Sequence, residues 1–260
     1  MRRIVCQQSI RKWGIFGAPN AGKSTFLSVL RQPMLVIDAD HRIQETVRDT
    51  GLDAIGIDDP AYDIHEPLDI HKWLRKNRCD ILEERVKTVA VDSLTSIISP
   101  LNSATIEGNR RGINKNKVAG FADKANAMRL LQDSISAMGT DVMFIWHLES
   151  SRDAKNMLVN HPTLSETEQE RLKRNLNAII GLHVSPRSGA RVAKITWSRS
   201  GAGIGVSIPD TEGGWRGVPE KIDALIDPSR SATSAHGANP TQDDGSSIQK
   251  SAQKEDSACA

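Results

Sequence analysis

Short apolar runs alternate along this chain with longer stretches in which polar and apolar residues are mixed. Four of the runs have the length and composition of strands that are buried on both faces of a parallel sheet. They are Ile10–Phe16, Met34–Ile37, Lys87–Val91 and Val142–Trp146. The alternation predicts an α/β protein with a mostly parallel central sheet flanked by helices.

The pattern changes after the fourth run. Ala178–Val184 and Val192–Trp197 enclose Pro186-Arg187-Ser188-Gly189, which is the pattern of a strand, a turn and an antiparallel strand. The last part of the chain is rich in Ser, Ala, Gly, Gln and Asp and nearly lacks large apolar side chains. We therefore predict one domain over residues 1–228 and a disordered tail over residues 229–260.

The mixed stretches contain apolar residues at helical spacing. This spacing predicts helices over Leu68–Glu84, Ala119–Met138 and Leu164–Leu176, and a further helix that begins at Leu94. The third of these starts with the capping pattern Ser165-x-x-Glu168. The predicted apolar faces include Ile70, Trp73, Leu74, Ile81 and Leu82 in the first helix, and Phe121, Ala125, Met128, Leu131, Ile135 and Met138 in the second.

One loop carries a complete phosphate-binding motif, G-x-x-x-x-G-K-[ST], between the first apolar run and a helical stretch. Its residues are Gly17, Ala18, Pro19, Asn20, Ala21, Gly22, Lys23, Ser24 and Thr25. The glycines let the backbone curl into a nest of N–H groups around a phosphate chain. Lys23 supplies a point charge, and the Ser24 hydroxyl can hold Mg²⁺. The motif predicts binding of a nucleoside triphosphate, ATP with Mg²⁺.

Polar residues follow three of the apolar runs. Asp92 ends the third run, in the pattern that supplies a carboxylate beyond the magnesium's water shell behind a phosphate loop. Asp40 follows the second run and is a candidate to face the γ-phosphate. The alternative is that Asp38 or Asp40 caps the helix starting near His41. His147 follows the fourth run, either as a γ-phosphate sensor or as a packed or capping residue.

Positive charge is concentrated in the segment Gly108–Lys124. Its cations are Arg110, Arg111, Lys115, Lys117 and Lys124, against the single acidic residue Asp123. The glycines in this segment predict a mobile loop that can neutralise the phosphates of a nucleic acid, and the alternative is a solvated loop without a partner. Ser150–Asn160, with Arg152 and Lys155, predicts a second mobile loop.

Composition excludes several other classes. No apolar run approaches the roughly 20 residues of a membrane span, and the N-terminus lacks the apolar core of a signal peptide, so we predict a cytoplasmic protein. The three cysteines are widely spaced and imply no disulfide framework. His65, His71 and Cys79 match no metal-binding pattern. A net charge of +2 is too small to establish a nucleic-acid partner.

In their order along the chain, the motifs G-A-P-N-A-G-K-S-T, V-I-D-A-D-H, V-A-V-D-S-L-T and F-I-W-H-L-E resemble those of the RecA-like ATPases. More narrowly, the chain resembles the phage-type core-only recombinases of the single-strand annealing group, often labelled AAA-family ATPases. The resemblance covers roughly Ile10–Ser207. It implies a RecA-like P-loop NTPase core in which Asp40 activates the attacking water, Asp92 is linked to magnesium and His147 senses the γ-phosphate. The best-known members have glutamate in place of Asp40 and usually an amide in place of His147.

The same resemblance implies partners. Two DNA-binding loops would fall near Ile106–Val118 and Leu148–Thr163, and the first coincides with the basic segment. Lys194 and Arg199 lie near the family's inter-subunit cations. The implied protein is a homo-oligomeric ATPase that binds single-stranded DNA in a bacterial host cell, is encoded by a phage or prophage, and has a single-strand-binding protein as a possible partner.

Two other functions stay open. The chain can be a regulatory nucleotide switch that binds a protein partner and no DNA, in which case the basic segment is only solvated. A small-molecule kinase shares the phosphate loop, but the sequence has no obvious lid with paired arginines.

Overall fold

The computed structural model describes residues 10–113, 116–152, 156–185 and 188–227. The predicted tail, residues 229–260, lies outside these ranges, so its disorder and the domain limits stay predictions. The strands are β1 (Lys12–Gly17), β2 (Met34–Asp38), β3 (Ala54–Gly56), β4 (Thr88–Asp92), β5 (Asp141–Arg152), β6 (Leu158–Pro162), β7 (Ala178–Val184), β8 (Arg191–Ser198) and β9 (Ser207–Pro209). The helices are α1 (Lys23–Leu27), α2 (Ile43–Thr50), α3 (Pro67–Lys76), α4 (Arg78–Glu83), α5 (Leu94–Arg110), α6 (Lys117–Ser136), α7 (Glu166–Lys173) and α8 (Val218–Ile226).

The strands form one sheet in the order β3-β2-β4-β5-β1-β7-β8-β9, and β6 pairs with the far end of β5. All pairings from β3 to β7 are parallel, whereas β7–β8, β8–β9 and β5–β6 are antiparallel. The strand that leads into the phosphate loop, β1, is central, between β5 and β7. The predicted architecture, a mostly parallel sheet flanked by helices with an antiparallel strand pair at its C-terminal end, is confirmed.

The central strands are apolar on both faces because helices cover both faces. On one face α3, α6 and α7 pack over β2, β4 and β5, and on the other α1 and α8 pack over β1, β7 and β8. Gly14 in β1 makes room for the ring of Trp146, since a Cβ on Gly14 would lie 2.5 Å from that ring. Trp146 also stacks on Phe16, with ring centroids 5.7 Å apart.

Several predicted elements differ in extent from those observed. The stretch Leu68–Glu84 forms two helices, α3 and α4, that meet at Asn77. Leu82 and Phe121, predicted to be on apolar faces, are 49% and 45% exposed. The capping pattern at the start of α7 is present, with the Ser165 side chain and the Glu168 side chain each bonded to the other residue's backbone N–H.

The described parts of both predicted mobile loops are mostly helix or strand. Most of the basic segment belongs to the end of α5 and the start of α6, and Ser150–Asn160 lies largely in the hairpin of β5 and β6. Among the described residues, no helix is long and apolar enough to span a membrane.

Candidate functional site

The candidate site lies where parallel strands end together. Gly17 at the end of β1 is in register with His147 of β5, and Asp38 at the end of β2 is in register with Asp92 of β4. Because these strands run in one direction, their carboxyl ends form a single edge of the sheet. Ligands of open α/β sheets bind in the crevice outside this edge.

The phosphate loop leaves β1 at Gly17 and enters α1 at Lys23. A Cβ on Gly17 would lie 2.5 Å from the carbonyl oxygen of Leu182, so the close approach of β7 requires glycine. Asn20 and Gly22 have left-handed φ angles of 63° and 85°. Alternation of right- and left-handed backbone turns successive N–H groups toward one concave side. The loop therefore has the backbone expected of an anion-binding nest.

A buried tryptophan fixes the end of this loop. The Trp215 Nε1 donates a hydrogen bond of 3.0 Å to the carbonyl of Gly22, and the ring packs edge to face on Phe26. A Cβ on Gly22 would lie 2.9 Å from that Nε1, so the loop needs glycine here both for its φ and for this contact. Sequence reasoning missed Trp215, because it is distant along the chain and no motif marks it.

Lys23 is buried and turned back onto the loop. Its Nζ donates hydrogen bonds of 3.0 Å each to the carbonyl oxygens of Gly17 and Ala18. Burial lowers the pKa of Lys23, and the negative charges of Asp92 and Asp40 oppose this shift. The ammonium is therefore bonded to the loop and attracted by the two aspartates.

Ser24 and Asp92 form a hydrogen-bonded pair, with the Ser24 Oγ donating to the Asp92 Oδ2 at 2.9 Å. Burial raises the pKa of Asp92 to about 6; the bond from Ser24 opposes this rise, and the negative charge of Asp40 adds to it. A nearby cation would stabilise such a carboxylate.

Mg²⁺ is commonly bound by one or two carboxylates together with nucleotide phosphates and water. The hydroxyl and carboxylate of Ser24 and Asp92 fit that use. Within the described ranges, no group of three or more His, Cys, Asp or Glu side chains can hold a metal without a nucleotide.

The two aspartates at the end of β2 have different surroundings; Asp38 is the last residue of the strand and Asp40 lies two residues beyond it. Asp38 accepts hydrogen bonds from the backbone N–H groups of Arg42 and Ile43, at 3.0 and 2.9 Å. It therefore serves the start of α2, which is the capping role that the sequence left open for either aspartate. The carboxylate of Asp40 instead lies against β4 and β5.

Asp40 is held by three side chains. Its Oδ1 accepts hydrogen bonds from the hydroxyls of Ser93 and Ser96, at 2.9 and 2.5 Å, and its Oδ2 accepts one from the His147 Nε2 at 2.8 Å. Burial by itself would raise the pKa of Asp40, but the bonds from His147, Ser96 and Ser93 together hold it well below its usual range. Asp40 is consequently a carboxylate at neutral pH. Sequence reasoning missed both serines, although Ser93 directly follows Asp92 within the V-A-V-D-S-L-T motif and Ser96 is the first residue after that motif.

The backbone of His147 is tied to the base of the β5–β6 hairpin. Its N–H donates to the Thr95 hydroxyl at 3.0 Å, and its carbonyl accepts from the N–H and the hydroxyl of Thr163, both at 3.1 Å. The hydroxyls of Thr95 and Thr163 are 2.7 Å apart. One hydrogen-bonded unit thus joins the start of α5, the candidate sensor and the residue that follows β6.

The family of the chain is decided by a family model described as "AAA domain" (AAA_24), which matches residues 10–199. The chain belongs to this AAA-domain family. The match contains the whole phosphate loop, Asp40, Asp92 and His147, so the site of this AAA protein lies inside its family domain. None of the curated proteins compared with the chain matches it significantly.

Two solved structures match most of the chain at low sequence identity, with TM-scores below 0.5. One is a KaiC-like protein from the archaeon Pyrococcus horikoshii OT3, with a TM-score of 0.45 and 11% identity, covering 78% of this chain and 86% of that one. The other is the RadB recombinase, with a TM-score of 0.47 and 18% identity, covering 78% of this chain and 89% of that one.

The predicted DNA-binding cations of the AAA protein lie in two regions, one around the end of α5 and the start of α6 and the other in the β5–β6 hairpin. Arg110 and Arg111, at the end of α5, are exposed, and both contact the carboxylate of Glu107, at 3.9 and 2.6 Å. Arg152, at the end of β5, is exposed and donates to the backbone carbonyl of Asn156 at 3.1 Å. Lys115 and Lys155 lie outside the described residues, and Lys117 is the first residue of α6.

Lys124, the remaining cation of the basic segment, is not on the surface. It pairs with Glu168 of α7 and donates to Asn102 of α5 at 2.6 Å. Burial by itself would raise the pKa of Glu168, but the bond from Lys124 lowers it. The Lys124 ammonium therefore links α6 to α5 and α7, and it is not available to a phosphate.

The two predicted inter-subunit cations differ in position. Lys194 is exposed in the middle of β8, paired with Gly181 of β7. The Arg199 guanidinium donates to backbone carbonyls at the end of α7, those of Lys173, Arg174 and Leu176. Since Arg199 follows β8 next to the start of β7, it lies at the sheet edge opposite to the phosphate loop. These bonds already use the guanidinium, and the inter-subunit role of both residues stays a prediction.

Proposed function

We propose that the protein is a magnesium-dependent ATPase whose nucleotide state controls binding of single-stranded DNA during recombination or strand annealing. One observation carries the nucleotide part: Lys23, the Ser24–Asp92 pair and the Asp40–His147 pair meet at one edge of the sheet beside a loop with nest backbone. These are the parts that phosphoryl transfer needs, namely a cradle, a metal-linked carboxylate and a group that positions the nucleophile.

Each side chain has a role that follows from its position. Lys23 would neutralise charge on the terminal phosphates, and Ser24 with Asp92 would hold the magnesium and its water. Bound Mg²⁺ would supply charge neutralisation of the phosphates. The raised pKa of Asp92 fits this role, since a cation beside it would offset the burial of its charge.

Asp40 would orient the attacking water. A carboxylate has about four lone-pair positions, and Ser93, Ser96 and His147 occupy three of them. One remains for a water molecule. Because hydrogen bonds hold the pKa of Asp40 low, it is a weak proton acceptor, which favours positioning of the water over early proton removal. His147 is hydrogen-bonded to the same carboxylate and would detect the γ-phosphate through that bond.

The proposal of DNA binding rests on two regions beyond the site. Exposed Arg110 and Arg111 lie at the end of α5 and just after it, and exposed Arg152 ends β5 in the hairpin with β6. The hairpin is anchored at His147 through Thr163, so a change at the γ-phosphate would reach it through two hydrogen bonds. Nucleotide state and DNA affinity would thereby be coupled.

A second candidate, a nucleotide switch that binds a protein, is favoured by one specific observation. The exposed apolar residues Ile106, Ile113 and Val118 lie at the end of α5, just after it and at the start of α6, with exposed fractions of 59%, 72% and 77%. Glu107 contacts both Arg110 and Arg111 there. Exposed apolar groups with partly neutralised cations suit a protein surface better than a phosphate backbone.

ATP hydrolysis titrated with poly-dT distinguishes the two candidates. Under the DNA proposal the strand stimulates hydrolysis, and binding weakens with salt at a log–log slope of about −0.7 per phosphate contact. The double variant Arg110→Gln/Arg111→Gln should lose this stimulation. The matched control is Arg75→Gln/Lys76→Gln. These two residues are also exposed at the end of a helix, α3, but the chain continues from there toward the start of β4, at the sheet edge opposite to the site.

Hydrolysis that ignores poly-dT in the wild type would reject the DNA proposal and favour the switch. The variant Lys23→Ala tests the nucleotide site separately. Full hydrolysis by Lys23→Ala would reject both candidates.

A further inference from the structure

We propose that Arg191 contacts the nucleoside end of the bound nucleotide, with its guanidinium plane against the base. This inference rests on the proposed nucleotide function and extends it to a residue that lies outside every motif in the chain.

Arg191 lies against the phosphate loop although it is far from it in sequence. It is the first residue of β8 and pairs with Val184 at the carboxyl end of β7. Because β7 runs beside β1, this pairing places Arg191 at the same sheet edge as the loop. The Nε and Cζ of Arg191 are each 3.4 Å from the position that a Cβ on Gly22 would occupy.

The guanidinium has no competing partner in the part of the chain that the structure describes. No hydrogen bond or ion pair joins the Arg191 side chain to residues 10–113, 116–152, 156–185 or 188–227, although the residue is half-buried. The nearby Trp215 cannot play the same role, since its ring is fully buried and its Nε1 is bonded to Gly22. Arg191 is therefore a planar cation held beside the loop with its hydrogen-bonding capacity unused.

Strand order determines which end of a nucleotide Arg191 would face. Asp40, Asp92 and His147 follow or belong to β2, β4 and β5, all on one side of β1, whereas Arg191 begins β8 on the other side. A triphosphate whose last phosphate lies at the two aspartates must extend from the loop toward β7 and β8. Its base would then lie near Arg191, and a guanidinium stacks well on an aromatic ring.

The test compares three ligands by isothermal titration calorimetry with magnesium: ATP, ADP and inorganic triphosphate. Arg191→Ala should raise the Kd of ATP and of ADP about tenfold, because both carry the base, and should leave the Kd of inorganic triphosphate within about twofold. Arg191→Lys should be as weak as Arg191→Ala, because lysine keeps the charge but not the plane. Lys221→Ala, an exposed cation of α8, is the matched control and should bind all three ligands like the wild type.

Other results would overturn the proposal. Equal weakening of inorganic triphosphate, or recovery of ATP affinity in Arg191→Lys, would identify Arg191 as a phosphate-binding cation. Unchanged ATP affinity in Arg191→Ala would show that the residue does not contact the nucleotide. Lys23→Ala separates this test from the proposed function: it should weaken all three ligands, and its failure to do so would reject the nucleotide site itself.

Discussion

Replacing Asp92 with asparagine should stabilise the protein when magnesium and nucleotide are absent. Asp92 is 4% exposed, and its pKa is raised from 3.8 to about 6, chiefly by burial. One pKa unit corresponds to about 1.36 kcal/mol, so the ionised carboxylate destabilises the folded state by about 3 kcal/mol at neutral pH. Asparagine has the same shape and can keep a hydrogen bond with Ser24, and the desolvation of its amide makes this figure an upper bound.

The sign of the pH dependence follows from the raised pKa. Between the unfolded and folded pKa values, the folded state binds more protons than the unfolded state, so stability falls as the pH rises. The penalty is absent below about 3.8, grows through this interval and is complete above about 6. The asparagine side chain does not titrate, so the Asp92→Asn variant should lack this component.

Urea unfolding of the wild type and Asp92→Asn, measured from pH 4.5 to 8 with EDTA, isolates the effect, because all other titrating groups are common to both proteins. The variant should be more stable by up to about 3 kcal/mol at pH 7.5, and the difference should shrink toward pH 4.5. Ser24→Ala should raise the midpoint of the wild-type dependence, because it removes the bond that lowers the pKa of Asp92.

Magnesium and ATP should reverse the order of stability. They should stabilise the wild type by ligand linkage and Asp92→Asn much less, because the variant lacks the carboxylate that we propose holds the magnesium. A variant that is no more stable at pH 7.5 without metal, or a difference that does not change with pH, would refute the assignment of a buried, ionised Asp92.

Two further substitutions test the packing that supports the site. Lys124→Met should cost about 3–5 kcal/mol in urea unfolding, because it leaves Glu168 buried without its cation, and adding Glu168→Gln should recover much of that loss; equal stability of the single and double variants would contradict this. Gly14→Ala should cost about 1–3 kcal/mol, since its Cβ would lie 2.5 Å from the Trp146 ring, and Gly56→Ala is the control because a Cβ there meets no atom within 4 Å. Similar losses for both alanine variants would rule out the steric explanation.

The phosphate loop could be predicted because its chemistry is contiguous. Its glycines, lysine and serine follow one another along the chain, so a single motif specifies the backbone, the charge and the metal-binding hydroxyl together. Asp92 could be predicted nearly as directly, because it ends an apolar strand and the carboxyl ends of strands in a parallel sheet lie at the ligand edge.

The choice between Asp38 and Asp40 needed the structure. Both lie at the end of the same strand, and either can cap a helix. Only the path of the backbone after β2 decides that Asp38 meets the N–H groups of Arg42 and Ile43 and that Asp40 meets His147.

The described parts of the two predicted loops are mostly helix or strand, for a related reason. Glycine lowers the local preference for helix, and charged residues such as lysine lower the preference for strand, but tertiary contacts can override these modest effects. Asn116 caps the start of α6, Lys124 is held by Glu168, and the hairpin is pinned at Thr163. The cap is local, but the other two contacts join elements that are distant along the chain.

By itself the sequence determined the α/β class, the phosphate-loop motif and the place of Asp92 at the ligand edge of the sheet, because strand periodicity, glycine conformation and strand-end chemistry are local properties. Only the tertiary structure decided which residues surround them. The three donors on Asp40, the Trp215 bond to Gly22 and the position of Arg191 beside the loop all depend on strand order and helix packing. These arise from burial of the whole core, which no short segment specifies.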